Sequence, residues 1–141
     1  MPNSSRSTAM HNPMRVTVLI VDDNTSGAQT LKIVLELGGY DVLVASTGRD
    51  ALELFNQHLP GVVLLDINLP DMDGYSVAQA LRRIRNTQPT LILALTGRAA
   101  DGDERDALLA GCDFHLSKPV DFDKLEEVMH ARVAQCTTTH G

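Results

Sequence analysis

The feature that most constrains the fold is a regular alternation between short, continuously apolar runs and longer segments with helical periodicity. The apolar runs are too short for buried helices, and they lack the alternation of strands that face water on one side. Strands that are apolar throughout occur in parallel sheets covered by helices on both faces. The predicted strands are Val16–Val21, Asp41–Ala45, Val62–Leu65, Thr90–Leu95 and Phe114–Leu116. Five successive βα units therefore predict an α/β fold with a doubly wound, five-stranded parallel sheet.

Several of the intervening segments carry apolar residues at helical spacing, which predicts one buried stripe on each helix. These stripes contain Leu31, Val34 and Leu35, then Val77, Leu81 and Ile84, and finally Leu125, Val128 and Val133. Gly38-Gly39 has the form of a helix C-cap, and Asp73 and Asp121 stand where helix starts are expected.

The chain has 141 residues, which is a usual size for one domain. Residues 1–14 are rich in Ser, Asn and Pro and lack apolar periodicity, so they predict a disordered leader. Residues 136–141 include three consecutive threonines and predict a disordered tail. One domain is therefore expected at residues 15–135.

The charge and the apolar content exclude several classes of partner. A formal net charge of −6 without a basic run argues against binding to nucleic acid. No apolar run approaches the ~20 residues that span a bilayer, and no signal peptide is recognised, so no membrane partner is expected. Cys112 and Cys136 lie far apart, without a second ligand pattern, and are predicted to be free thiols. These features predict a cytoplasmic protein.

Polar residues stand at the carboxyl ends of four of the five predicted strands. In a doubly wound, flavodoxin-like (βα)5 sheet of order 2-1-3-4-5, these four strands are contiguous. Ligands bind such sheets beyond the carboxyl ends of the strands, at the switch point between strands 1 and 3. The residues expected to converge there are Asp22, Asp23, Asp66, Thr96 and Lys118.

Three carboxylates at one edge of a sheet repel one another unless a cation compensates their charge. Mg²⁺ fits this demand because it takes oxygen ligands and keeps positions for waters and phosphate oxygens. The predicted cofactor is Mg²⁺, with Mn²⁺ as a substitute. Phosphoryl transfer needs such charge neutralisation, so Asp66 is a candidate nucleophile, with Lys118 and the Thr96 hydroxyl as stabilising groups.

The segments 18–24 (VLIVDDN), 64–74 (LLDINLPDMDG), 95–97 (LTG) and 118–119 (KP) together resemble the receiver domain of two-component response regulators. The same kind of domain is also found fused to hybrid histidine kinases. The resemblance covers roughly Val16 to Val133. It implies that Asp66 is the phosphoacceptor, with Thr96 and Lys118 assisting. It also implies a metal site formed by Asp22, Asp23, Asp66 and the backbone carbonyl of Asn68.

The resemblance further implies a signalling switch in a phosphorelay, which catalyses only its own phosphorylation and dephosphorylation. A histidine kinase or a histidine phosphotransfer protein would donate the phosphoryl group, and the phosphorylated domain would change its partner-binding face. The output would come from a separate downstream effector protein. The sequence leaves open a homodimer, and it leaves open whether the domain stands alone or belongs to a larger regulator.

His115 departs from the commonest family pattern, which places Tyr or Phe three residues before the lysine. Two alternatives follow for this switch position. His115 either turns inward as Thr96 moves toward the phosphate, or stays on the surface while helices and backbone carry the signal. The resemblance also implies a cis peptide bond between Lys118 and Pro119, which costs little before proline.

Three other interpretations are weaker. A haloacid-dehalogenase-type phosphatase needs a second Asp two residues after the nucleophile, where this chain has Asn68. An FMN-binding protein needs a phosphate-cradling loop after the first strand, and the carboxylates of Asp22 and Asp23 would repel the phosphate. A degenerate receiver would keep the fold without being phosphorylated, but every key position is filled here.

Overall fold

The five apolar runs form one parallel sheet with strand order β2-β1-β3-β4-β5, as predicted. The computed structural model describes residues 16–84, 90–96, 111–118 and 120–139. The strands are β1 (Thr17–Val21), β2 (Asp41–Ala45), β3 (Val62–Asp66), β4 (Leu91–Thr96) and β5 (Phe114–Ser117). The helices are α1 (Thr25–Leu37), α2 (Gly48–His58), α3 (Gly74–Arg83) and α4 (Phe122–Thr139).

Three strands extend one residue beyond their predicted carboxyl ends. Asp66 is the last residue of β3 and Thr96 is the last residue of β4, because parallel pairing continues through them. Asp66 pairs with Leu95, and Thr96 pairs with Ser117. Two polar side chains expected just after the strands therefore belong to the sheet itself, which fixes their positions.

Alternate residues of each strand point to opposite faces of the sheet, and each face has its own core. Leu19, Val63 and Ile92 face a cluster that includes Phe55 of α2 and Leu81 of α3. The other cluster contains Val18, Ile20, Leu64 and Leu93 of the sheet, with Leu31 and Leu35 of α1 and Leu125 and Met129 of α4. Helices thus cover both faces, which confirms the doubly wound architecture.

The predicted helix ends agree with the structure. Gly38 is the C-cap of α1, and Gly39 follows with a φ of 97°, a conformation that glycine adopts without strain. Asp73 is the N-cap of α3. The Asp121 side chain accepts hydrogen bonds from Asp123 N–H and Lys124 N–H at the start of α4. This helix continues to Thr139, past residue 135, where the sequence places the end of the domain.

Three predictions concern residues that the structure does not describe: the leader at 1–14, the helical segment between β4 and β5, and the cis peptide bond to Pro119. In the described ranges, no helix combines the length and the apolar character that crossing a membrane requires. Cys112 is a buried free thiol, and burial raises its pKa to about 11.

Candidate functional site

The carboxyl ends of β1, β3, β4 and β5 bring the predicted polar residues to one edge of the sheet. Asp22 directly follows β1, and its backbone N–H donates to Ala45 O at 3.0 Å. Asp66 ends β3 and Thr96 ends β4. Lys118 follows β5, and its backbone N–H donates to Thr96 O at 2.7 Å. Hydrogen bonds between neighbouring strands therefore fix the backbone positions from which these side chains project.

Asp22, Asp23 and Asp66 form a compact carboxylate cluster. Each offers one oxygen, and these oxygens lie within 4.8 Å of one another. Asp22 and Asp66 are buried, with exposed fractions of 8% and 4%, whereas Asp23 is exposed. Burial of two carboxylates side by side is costly without a compensating positive charge.

Lys118 supplies part of that charge. Its Nζ donates to Asp66 Oδ2 at 2.9 Å and to Asp22 Oδ2 at 3.2 Å. Burial lowers the pKa of Lys118, but the hydrogen bond to Asp66 and the attraction of both carboxylates outweigh it, so the pKa is raised overall. The ammonium group is therefore charged at neutral pH.

The pKa of Asp66 is also raised, and the main cause is burial of the carboxylate. The Asn68 N–H and Lys118 lower this pKa, and the negative charge of Asp22 raises it. Burial outweighs these hydrogen bonds, so Lys118 alone does not offset the cost of a charged Asp66. A second cation beside the carboxylate would lower its pKa again.

The donor set fits a divalent cation. Three carboxylates share the cluster with one ammonium group, so ionisation of all three would leave an excess of negative charge. Clustered carboxylate oxygens are the ligands of hard ions such as Mg²⁺ and Ca²⁺. The arrangement supports the metal site predicted from the sequence; the identity of the ion remains a prediction.

The loop between β3 and α3 begins directly after Asp66 and closes on its own base. Asn68 N–H donates to Asp66 Oδ1 at 2.9 Å, and Gly74 N–H donates to Ile67 O at 2.9 Å. A side chain at position 74 would overlap the backbone of Ile67, so only glycine allows this closure. Asn68 is held beside Asp66, and its role as a metal ligand through its carbonyl remains a prediction.

The structure also brings together the two residues assigned to the switch. Thr96 Oγ1 and His115 Nε2 are 2.9 Å apart, which is hydrogen-bond distance. His115 lies opposite Ala94 in the β4–β5 pairing, one position before Leu116, and is half-buried. In this structure the imidazole is therefore in contact with Thr96.

Sequence reasoning missed one residue of this region, Asp71. Its carboxylate accepts hydrogen bonds from Gly48 N–H and Arg49 N–H at the start of α2. An Asp in a loop has no local sequence signal for such a contact, because its partners lie more than twenty positions earlier in the chain.

Solved structures show the same fold. A CheY-like response regulator receiver domain from Methanospirillum hungatei JF-1 is 29% identical, with a TM-score of 0.81, over 89% of this chain and 98% of that chain. A response regulator from Burkholderia pseudomallei, solved with a phosphorylated aspartic acid, calcium ion and citrate, is 28% identical, with a TM-score of 0.75. That match covers 89% of this chain and 73% of the other.

A third structure contains a partner protein. It is the co-crystal structure of the Saccharomyces cerevisiae histidine phosphotransfer signalling protein Ypd1 with the receiver domain of Ssk1, its downstream response regulator. The match is 28% identical, with a TM-score of 0.73, over 79% of this chain and 84% of that chain.

Two curated relatives differ in how much of their own length this chain covers. The response regulator Rre1 of Synechocystis is 34% identical over 85% of this chain, but the chain spans only 52% of Rre1. The polar-differentiation response regulator DivK of Brucella ovis is 30% identical over 82% of this chain and 94% of DivK.

The family model of the response regulator receiver domain matches residues 18–130, which include all the residues of the site. This match decides against the phosphatase and the FMN-protein interpretations. The chain belongs to the response regulator receiver domain family, whose members are signalling domains of two-component systems.

Proposed function

We propose that this chain is a phosphorylation-dependent switch that accepts a phosphoryl group on Asp66 in a Mg²⁺-dependent reaction. The observation that carries the proposal is the environment of Asp66. Its carboxylate is buried at the end of β3, contacts Lys118 at 2.9 Å and shares a cluster with two other carboxylates. The phosphorylated aspartic acid in the B. pseudomallei response regulator supports the same chemistry here.

In this mechanism the residues of the chain mainly position groups and neutralise charge. Asn68 N–H orients the Asp66 carboxylate through Oδ1. An Asp66 oxygen attacks the phosphorus of the donor, and the bond from phosphorus to the donor nitrogen breaks. Lys118 places its ammonium group where the phosphoryl oxygens arrive, and the Thr96 hydroxyl donates a hydrogen bond to one of them. Mg²⁺, held by Asp22, Asp23, Asp66 and the Asn68 carbonyl, would further neutralise the phosphoryl charge.

The phosphoryl donor in this proposal is a histidine kinase or a histidine phosphotransfer protein. The complex of Ypd1 with a receiver domain supports this class of partner. The output partner is a separate effector protein that recognises the altered face, and the net charge of −6 favours a protein over a nucleic acid. The domain itself catalyses only its own phosphorylation and dephosphorylation.

The metal requirement predicts that acetyl phosphate labels the chain in the presence of Mg²⁺ or Mn²⁺ but not in the presence of excess EDTA, as measured by intact mass.

Cation binding should also stabilise the fold, because it relieves repulsion in the cluster. At ten times the dissociation constant this adds about 1.4 kcal/mol, or roughly 5 °C in Tm. Asp23→Ala should remove the shift, whereas Glu53→Ala, which removes an exposed carboxylate of α2, should keep it. Equal shifts in both variants would contradict the assigned metal site.

Phosphorylation is also expected to fix the proton arrangement between Thr96 and His115. The Thr96 hydroxyl can donate one hydrogen bond, and in the active state it donates that bond to a phosphoryl oxygen. His115 Nε2 lies 2.9 Å from Thr96 Oγ1. To keep this hydrogen bond in the active state, Nε2 must carry a proton and donate the bond to the hydroxyl oxygen. Nitrogen NMR of the imidazole with beryllofluoride should therefore show a protonated Nε2.

The matched variant for this experiment is Thr96→Val, which keeps the shape of the side chain and removes the hydroxyl. Beryllofluoride should leave the His115 nitrogens of this variant unchanged. An Nε2 without a proton in the activated wild-type chain would exclude His115 from the switch and support the surface alternative.

A further inference from the structure

The loop between β3 and α3 is fastened at two places. At its base, Gly74 N–H donates to Ile67 O, and an isolated antiparallel bridge joins Asn68 and Asp73. Near its apex, Asp71 Oδ1 accepts Gly48 N–H at 2.8 Å, and Asp71 Oδ2 accepts Arg49 N–H at 3.1 Å. The second attachment joins the loop to a different element, the first turn of α2.

Both oxygens of Asp71 are used in this contact, and each accepts from a different backbone N–H. The two donors are at the N-terminus of α2, where N–H groups have no partner within the helix. The hydrogen bond from Gly48 is the main cause that lowers the pKa of Asp71. The carboxylate is therefore ionised at neutral pH, in the form that accepts both bonds.

The contact between this loop and α2 is also close in its packing. A Cβ at Gly48 would lie 2.9 Å from Met72 Sδ and 2.9 Å from Val77 Cγ2. Glycine at position 48 therefore allows the start of α2 to rest directly on the residue that follows Asp71. The helix start and the loop apex form one packed unit.

The same loop carries one group of the functional site and directly follows another. Asp66 immediately precedes it, and Asn68 donates its N–H to Asp66 Oδ1. The loop has only seven residues between Asp66 and Gly74. We therefore expect movement at Asp71 to shift the backbone of Asn68. In other proteins, residues that orient the metal ligands without binding the metal themselves strongly influence metal affinity.

We propose that Asp71 is a positioning residue for the metal site: by fastening the loop to the first turn of α2, it holds Asn68 and Asp66 in the geometry that binds the cation. This inference rests on the proposed function of the Asp66 site. In this proposal Asp71 acts through the loop and is not itself a ligand of the cation.

The test compares Asp71→Asn with Thr47→Ala in the full chain. Asp71→Asn keeps the size of the side chain but replaces one acceptor oxygen with an NH₂ group, which cannot accept from an N–H. Thr47→Ala removes the N-cap of the same helix, whose hydroxyl accepts Asp50 N–H at 3.1 Å, and leaves the loop untouched. Both variants should lower Tm, because each removes hydrogen bonds from the start of α2.

Mg²⁺ binding, measured by titration of the Asn68 amide signal in NMR, should separate the two variants. Asp71→Asn should raise the dissociation constant about tenfold, whereas Thr47→Ala should leave it at the wild-type value. At saturating Mg²⁺, Asp71→Asn should be labelled by acetyl phosphate at the wild-type rate. Hydrogen exchange at the Gly48 and Arg49 amides should be faster in Asp71→Asn.

Two results would overturn the inference alone: an unchanged Mg²⁺ affinity in Asp71→Asn, or an equal loss of affinity in Thr47→Ala. The second result would mean that stability of the α2 start, and not the loop attachment, controls the site. Absence of Mg²⁺ binding to the wild-type chain would instead overturn the proposed function, and the inference with it.

Discussion

Replacing Asp66 by Asn is expected to abolish labelling by acetyl phosphate, with a rate at least about a thousandfold below the wild-type rate. The estimate follows from the loss of the nucleophile, whose removal has effects of this size or larger in other systems. The variant should fold normally, because burial already disfavours a charged Asp66, as its raised pKa indicates. A neutral side chain of the same shape removes that cost, so Tm without Mg²⁺ should not fall.

A matched control for this experiment is Asp73→Asn in the same loop. Asp73 caps α3, and Asn is an equally good N-cap, so this variant should be labelled at the wild-type rate. Continued labelling of Asp66→Asn would mean that another residue accepts the phosphoryl group.

Replacing Lys118 by Met should affect phosphorylation and metal binding in opposite directions. The ammonium group contacts Asp66 and Asp22. In the proposed mechanism it neutralises charge where the phosphoryl oxygens arrive. Its loss should slow labelling by acetyl phosphate roughly a hundredfold, the usual effect of removing one stabilising donor. The carboxylates also lose a competing cation, so Mg²⁺ should bind at least as tightly as before.

The control for Lys118→Met is Lys124→Met, which removes an exposed charge from α4. Labelling rates and Mg²⁺ dissociation constants measured for both variants separate the two roles of Lys118. If Lys118→Met lost Mg²⁺ binding, the lysine would be organising the carboxylates, and its assignment to the phosphoryl group would be wrong.

The strands and the convergence of the site could be predicted because they depend on local sequence and on general rules of sheet topology. Continuous apolar runs such as Val62–Leu65 occur where helices cover both faces of a sheet. The strand order then places Asp22, Asp66 and Lys118 at one edge, and the structure has them in contact. The one-residue extensions of β3, β4 and β5 were missed, since a polar side chain is a poor signal for a paired residue.

Contacts that side chains make with residues distant in the sequence could not be predicted in the same way. The distance of 2.9 Å between Thr96 and His115 depends on the orientation of two side chains on adjacent strands, and the sequence left two alternatives open. Asp71 looks like an ordinary loop residue until the fold brings Gly48 and Arg49 beside it. Likewise, Arg82 donates to Thr90 O and Gly111 O and pairs with Asp113, an attachment that only the packed structure reveals.

The most direct test of the central claim is to locate the phosphoryl group chemically. The wild-type chain is incubated with acetyl phosphate and Mg²⁺ and then reduced with borohydride, which converts an aspartyl phosphate to homoserine. Peptide mass spectrometry of the digest then identifies the modified position. The account predicts homoserine at position 66 and none when EDTA replaces Mg²⁺; homoserine at Asp22, Asp23 or another aspartate, or unmodified Asp66 under labelling conditions, would contradict it.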